Sequence, residues 1–470
     1  PDQTIYTWRG AEVDIIINFD KIYPDTHTIF LNENYRSNNI ILSSANSLIM
    51  NNTNRIEKDL FTSRKSNELI THYVASSAQK EAMWIADKIS ELHRDNIAYK
   101  EIAVLYRSNF LSRLIEKAVI NNGIPYVIYG GIKFYERAEI KDALSYLKVI
   151  FNKDDLAFMR IINKPRRGIG ERSLDKIFEL SQKYDIKMID VLAKDEVKLI
   201  SKANREAEKF LNLFNKYYLE KDSISIEALL MNILKDSGYF KMLEDDTEDE
   251  RIANIMSLVE DIKEFEKHSP TGTLDEYLQM VALYTDIQSK EVPDCIKLMT
   301  VHSAKGLEFD TVFILGMSED LFPNGRSLKD GIDALEEERR LAYVAITRAK
   351  NRLFLTENNE YNYIGKTTNR SSRFIYEIGS EFLNEISDEV INYSIKKERN
   401  YNDISHDKNF KKKDAEESSV FRKGEIVEHT KFGQGLVIEY KHGFVSVAFK
   451  HPTGIRKIKA DHPSISKVKK

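Results

Sequence analysis

The stretch from Ile296 to Gly316 constrains the fold more than any other part of the chain. An apolar run, Ile296 to Val301, breaks into His302, Ser303, Lys305 and Glu308 and then resumes as Thr311-Val-Phe-Ile-Leu-Gly316. Two apolar runs around a short polar interruption predict buried β-strands flanking a loop with a helical turn. Open α/β sheets place their ligands at such polar strand ends. Gly306 beside Lys305 lets a ligand approach the backbone closely, and Glu308 offers a carboxylate to a sugar hydroxyl.

Downstream, Glu336 to Lys350 reads as an amphipathic helix, with Leu341, Val344 and Ala345 at helical spacing and charges elsewhere. Arg348 falls at its end, beside a further apolar strand, Arg352 to Thr356. Together the two stretches resemble the later signature motifs of superfamily 1 DNA helicases of the UvrD/PcrA type. More segments follow that family's order. Asp2-Gln-Thr-Ile-Tyr-Thr-Trp-Arg-Gly-Ala11 is similar to its glutamine-containing third motif. There Gln3 would sense a terminal phosphate, Tyr6 and Trp8 would stack on single-stranded bases, and Arg9 would pair with a phosphate. Leu31-Asn-Glu-Asn-Tyr-Arg-Ser37 is similar to the fourth motif. The resemblance implies that Tyr35 stacks on adenine, that Arg36 and Arg348 are arginine fingers on the γ-phosphate, and that Glu308 holds the ribose, with Gly306 beside it. It also implies that Arg107 and Asn109, from Ala103-Val-Leu-Tyr-Arg-Ser-Asn109, touch the DNA backbone, and that His302 and Lys305 face DNA. In Lys164-Pro-Arg-Arg-Gly-Ile-Gly-Glu-Arg-Ser173, Gly168 and Gly170 form a turn before a helix. Its amides would grip a duplex phosphate with charge from Arg166 and Arg167.

The sequence holds no Gly-x-x-x-x-Gly-Lys-Ser/Thr phosphate loop and no Asp-Glu pair ahead of Gln3 for magnesium. The resemblance covers only the later part of the family's sequence. It implies ATP and Mg²⁺ as cofactors, with the magnesium ligands outside this chain, and a C-terminal portion inactive in ATP hydrolysis by itself. One cysteine, Cys295, excludes an internal disulfide framework and a cysteine-rich zinc site. Apolar runs of membrane length are absent, so a cytoplasmic protein is expected.

Whole-chain net charge is −4, yet its distribution is uneven. From Phe421 to Lys470 there are 11 Lys/Arg against 4 Asp/Glu, a net of +7, which leaves −11 for residues 1 to 420. Alternating patterns in Gly424 to Tyr440 and Phe444 to Phe449 predict a small antiparallel barrel. It resembles the Tudor-like module that ends many such helicases, which implies docking to RNA polymerase or DNA. Residues 386–420 read as a flexible linker. Helical periodicity in Ser173 to Tyr184 and Ile252 to His268 marks 136–292 as an α-helical insertion. The acidic run Glu244 to Glu250 reads as a solvated loop.

The expected architecture is therefore α/β. A RecA-like, P-loop-type motor domain (26–135 with 293–385) is split by the helical insertion and followed by the basic barrel (421–470), with 1–25 a remnant of a first motor domain. The resemblance implies an ATP-dependent 3′-to-5′ helicase acting on single-stranded DNA and duplex junctions in repair or replication. Two alternatives stand beside it: a helicase–nuclease motor subunit, and a non-enzymatic fragment that binds DNA or RNA polymerase.

Overall fold

The computed structural model describes the chain except for residues 8–9, 59, 195–200, 247–248, 287–292, 326, 363–366, 389–425, 431, 442–443, 450–454, 460–463 and 468–470. It divides into two units, residues 1–395 and 396–470.

Seven parallel strands form the sheet of the first unit. They are β1 (Ile70–Ala75), β2 (Ile102–Tyr106), β3 (Tyr126–Ile128), β4 (Ile296–Thr300), β5 (Phe309–Leu315), β6 (Ala349–Asn358) and β7 (Leu383–Ser387). Their spatial order is β3-β4-β2-β5-β6-β1-β7. Strand β2 is buried at every position, as a parallel strand covered on both faces must be. Side chains alternate between two cores. Ala103, Leu105, Val312 and Ile314 pack with helices Asn39–Ile49 and Ile332–Ile346, whereas Val104, Tyr106, Phe313 and Leu315 pack with Ala78–Arg94 and Ser112–Asn121. The result is a three-layer α/β/α unit.

One expectation is corrected here. The helix read as amphipathic over 336–350 runs Ile332–Ile346, and four of its charged residues, Glu336, Glu338, Arg339 and Arg340, are buried, whereas Asp333 is exposed. Segments from elsewhere in the chain, two loops and the helix Arg373–Ile378, cover that face and pair with it. Glu336 accepts the Thr53 N–H at 2.6 Å, Arg339 donates to Glu377 at 2.7 Å, and Arg340 donates to the Thr4 carbonyl at 3.0 Å. Arg348 lies just past the helix, where the chain turns into β6.

Between β3 and β4 the chain makes a run of helices, from Ala138–Asn152 to Leu274–Asp286, around a core of its own. An ionic network ties this insertion to the sheet domain: Arg113, on Ser112–Asn121, meets Asp261, on Asp249–His268, at 3.0 Å.

The residues expected to form a linker lie mostly outside the described ones. Of the first three, Ile386 and Ser387 belong to β7, and the Asp388 carboxylate accepts the Ser76 N–H at 2.9 Å. The second unit contains a five-stranded antiparallel sheet of Ile426–His429, Gly433–Lys441, Phe444–Phe449, Ile455–Lys459 and Ile465–Lys467. Val427, Val437, Val445, Val447 and Ile465 form its core. No helix among the described residues is long and apolar enough to cross a membrane.

Candidate functional site

Most predicted site residues gather in two places, one at the amino ends of β5 and β6 and the other at the carboxyl ends of β2, β3 and β4. The first is a cationic cluster built by three distant segments. Asn34 accepts the N–H groups of Arg36 and Ser37 at 2.9 Å each and so shapes the turn that presents Arg36. That turn is fastened to the start of β6: the Ser37 hydroxyl donates to the Ala349 carbonyl at 2.7 Å, and the Asn38 N–H to the Lys350 carbonyl at 3.1 Å. Arg64 donates to the Arg36 carbonyl and, at 2.6 Å, to Asn351.

On this scaffold Arg36 Nε meets Glu308 Oε2 at 2.8 Å, and Lys350 Nζ meets Glu308 Oε1 at 3.1 Å. The hydrogen bond from Arg36, then that from Lys350, holds the Glu308 carboxyl below the usual carboxylate range. Arg348 is only 2% exposed; its guanidinium donates to the carbonyls of Leu307 and Val344, both at 3.0 Å, and to the Thr347 hydroxyl. Burial, then the neighbouring Arg36 charge, pulls its pKa down to about 10. Three cations thus surround one carboxylate, a local excess that suits a polyanion. Tyr35 stands beside the cluster with its ring 75% exposed and its hydroxyl on Glu33 at 2.8 Å. Gly306, at φ +89°, has no atom within 4 Å of where a Cβ would sit.

The second grouping is a cleft of about 900 Å³. It is lined at the strand ends by Tyr106, the last residue of β2, by Arg107 and Asn109 after it, by Tyr129 after β3 and by His302 and Ser303 after β4, with Tyr6 at its wall. Arg107 is gripped along its Nε–Nη2 edge by both carboxylate oxygens of Glu338, at 2.6 to 3.0 Å. Asn109 donates to Glu250 at 2.6 Å, so the insertion reaches the cleft through the end of the acidic run. Tyr6 donates to the His302 carbonyl at 3.1 Å, and Lys305 Nζ stands 5.4 Å from the Tyr6 ring centre. Lys305 also donates to the Gln3 carbonyl at 2.8 Å, which leaves the Gln3 side chain on the exposed side of the segment. Trp8 and Arg9 lie outside the described residues.

The Gly-Ile-Gly turn stands in the insertion, apart from both groupings. Gly168 takes φ +74°, and Gly170 precedes helix Glu171–Tyr184. Its two arginines divide. Arg167 is 9% exposed and donates to the carbonyls of Ile161, Ile162, Lys164, Pro165 and Ser237. Its Nη1 is thus turned onto carbonyls of its own turn, while Arg166 is exposed. The Ile169 N–H is likewise engaged, by Asn163 at 3.1 Å.

Sequence reasoning missed Lys350, Glu338, Arg64 and Glu250. For Lys350 a signal existed: it lies two residues past Arg348, on the same side of an extended chain. Among the described residues no group of three or more His, Cys, Asp or Glu could hold a metal ion.

Comparison with known proteins identifies the family. Residues 29–360 match the model of the UvrD-like helicase C-terminal domain. The chain is 39% identical over 391 residues to the ATP-dependent DNA helicase PcrA of Staphylococcus aureus (strain MRSA252), covering 81% of this chain and 54% of that protein. It is 40% identical over 391 residues to the PcrA of Staphylococcus epidermidis (strain ATCC 35984), with the same coverage of each chain. It therefore spans about half the length of the curated relatives it matches.

Proposed function

The chain belongs to the UvrD-like helicase C-terminal domain family, and from that membership we propose that it forms the second motor half of an ATP-driven DNA helicase. The observation that carries this reading is the convergence of Arg36, Glu308, Arg348 and Lys350 from segments about 270 to 310 residues apart in sequence. A cation cluster with a carboxylate and an exposed aromatic ring suits a nucleotide. Tyr35 offers a face to adenine, Glu308 an acceptor to a ribose hydroxyl, and Arg36 and Arg348 charge to the terminal phosphate. The name that the relatives carry, ATP-dependent DNA helicase, supports the same chemistry.

In this reading single-stranded DNA runs through the cleft. Tyr6 supplies a stacking face, and Arg107, Asn109, His302 and Lys305 supply polar contacts. Nucleotide-driven closure against a first motor domain moves the strand in the 3′-to-5′ direction, in repair or replication in the cytoplasm. Arg166 and the Gly168–Gly170 turn face the duplex junction, and the C-terminal sheet closes as a Tudor-like barrel that docks DNA or RNA polymerase. The domain limits remain 26–135 with 293–385 for the motor half, 136–292 for the insertion and 421–470 for the barrel. Magnesium, implied by ATP chemistry, finds no carboxylate cluster among the described residues, and no step here is routed through it.

The test is Arg36→Ala in the full-length protein. Loss of an arginine finger lowers DNA-stimulated ATP turnover by roughly three to five decades. Binding to single-stranded DNA should stay largely intact, because Arg36 does not line the cleft. Turnover within threefold of wild type would refute the assignment.

A further inference from the structure

We propose that Lys350 is a positioning residue that frees Arg36 for the nucleotide by taking over its carboxylate. This rests on the function proposed above and names a part of the site that the reading does not assign. The Glu308 carboxylate is shared, one oxygen with Arg36 at 2.8 Å and the other with Lys350 at 3.1 Å. Arg36 holds Glu308 through Nε and the Thr347 carbonyl through Nη1 at 3.3 Å, so a two-pronged grip on a terminal phosphate through its Nε–Nη2 edge requires it to give up the carboxylate. If Arg36 left and nothing replaced it, an uncompensated carboxylate would face the incoming phosphates and repel them. Lys350 stands on the opposite oxygen and keeps Glu308 neutralised throughout the exchange.

The backbone favours this exchange. The Lys350 carbonyl accepts the Asn38 N–H, and the flanking bonds from Ser37 and Asn38 to Ala349 and Asn351 fix the two segments together. Arg36 and Lys350 thus approach Glu308 from one rigid frame, with only their side chains free to move. Arg348 does not serve in this way, because its guanidinium is turned onto the Leu307 and Val344 carbonyls.

The experiment is a double-mutant cycle in the full-length protein, read as DNA-stimulated kcat. Lys350→Met should lower kcat about three- to fivefold, the upper scale of one partly exposed charge contact, while single-strand affinity stays largely intact. Lys350→Arg should restore it. In a Glu308→Gln background, where no carboxylate holds Arg36 back, Lys350→Met should cost less than about twofold. Lys350 is about a third exposed, so Met should fold; a matched melting temperature checks this, with Lys350→Gln as the second variant. Equal losses in both backgrounds, or none in either, would overturn the assignment. If the wild-type protein shows no DNA-dependent turnover, the functional reading fails and takes this assignment with it. If Arg36→Ala abolishes turnover and the cycle shows no coupling, only the Lys350 assignment falls.

Discussion

Asp261 offers a sharp test of how the helical insertion is held. Its carboxylate is fully buried and accepts from Arg113 Nη1 at 3.0 Å, Lys117 Nζ at 3.2 Å, the Tyr135 hydroxyl at 2.8 Å and the Tyr277 hydroxyl at 3.2 Å. Asp261→Asn keeps the shape and removes the charge. The tyrosines keep an acceptor, but Arg113, itself buried, and Lys117 lose their main counter-charge. Stranding a buried charge costs about 3–5 kcal/mol. Glu264 lies 3.7 Å from Arg113 and 3.2 Å from Lys117 and offsets part of that, so the lower end, about 3 kcal/mol, applies. With a urea dependence of about 3 kcal/mol per molar, the unfolding midpoint should fall by about 1 M.

Burial by itself would raise the Asp261 pKa, but Arg113, Lys117 and the Tyr135 bond outweigh it, and the carboxyl is held below its usual value of 3.8. Its stabilisation is therefore present above that value and disappears as pH falls through the lower folded pKa. The variant should lack this part of the acid destabilisation. A midpoint within about 0.3 M of wild type, equivalent to under about 1 kcal/mol, would refute this account of the junction.

Two further outcomes concern other buried charges. Glu81 is fully buried and accepts from Thr356 at 2.6 Å, Asn358 at 2.8 Å and the Gly316 N–H at 3.0 Å; burial, which these bonds only partly offset, raises its pKa. Stability should therefore fall as pH rises from the ordinary glutamate value through the raised one, and Glu81→Gln should flatten that slope in urea titrations run across pH. Arg167→Lys should lower stability by about 1–3 kcal/mol, since an ammonium cannot serve five carbonyls, whereas Arg166→Ala should leave the unfolding midpoint unchanged and weaken binding to a tailed duplex.

What was legible in the sequence is what local pattern controls. The apolar runs at 296–301 and 311–316 mark β4 and β5 because a strand buried on both faces needs no partner to announce it. The helical periodicity of 252–268 is equally local. The helix 332–346 misleads because Glu336, Glu338, Arg339 and Arg340 look like a solvated face. Their partners, Thr53, Arg107, Glu377 and Thr4, stand far off in sequence, and only the tertiary structure brings them together. In Arg166-Arg167 both residues carry the same charge. Which one turns inwards is decided by backbone carbonyls, and every residue has a carbonyl.

The two candidate groupings are also closer in the chain than their chemistry suggests. His302 lines the cleft and Glu308 belongs to the cation cluster, so one short turn between β4 and β5 carries both. The N-terminal segment is pinned to this turn, through Tyr6 on the His302 carbonyl and Lys305 on the Gln3 carbonyl, and the Leu307 carbonyl holds Arg348. Strands fixed in a sheet anchor both ends of the turn, so a change at Glu308 can be absorbed only within it. Gly306 sits there at φ +89°, a left-handed backbone that side chains rarely adopt, with open space where a Cβ would stand. Under the proposed function, a shift of Arg36 from Glu308 to a phosphate alters the forces on the same turn that positions Tyr6 and Lys305. Coupling between nucleotide and strand then needs no long relay through the sheet, only a change in how one carboxylate is held.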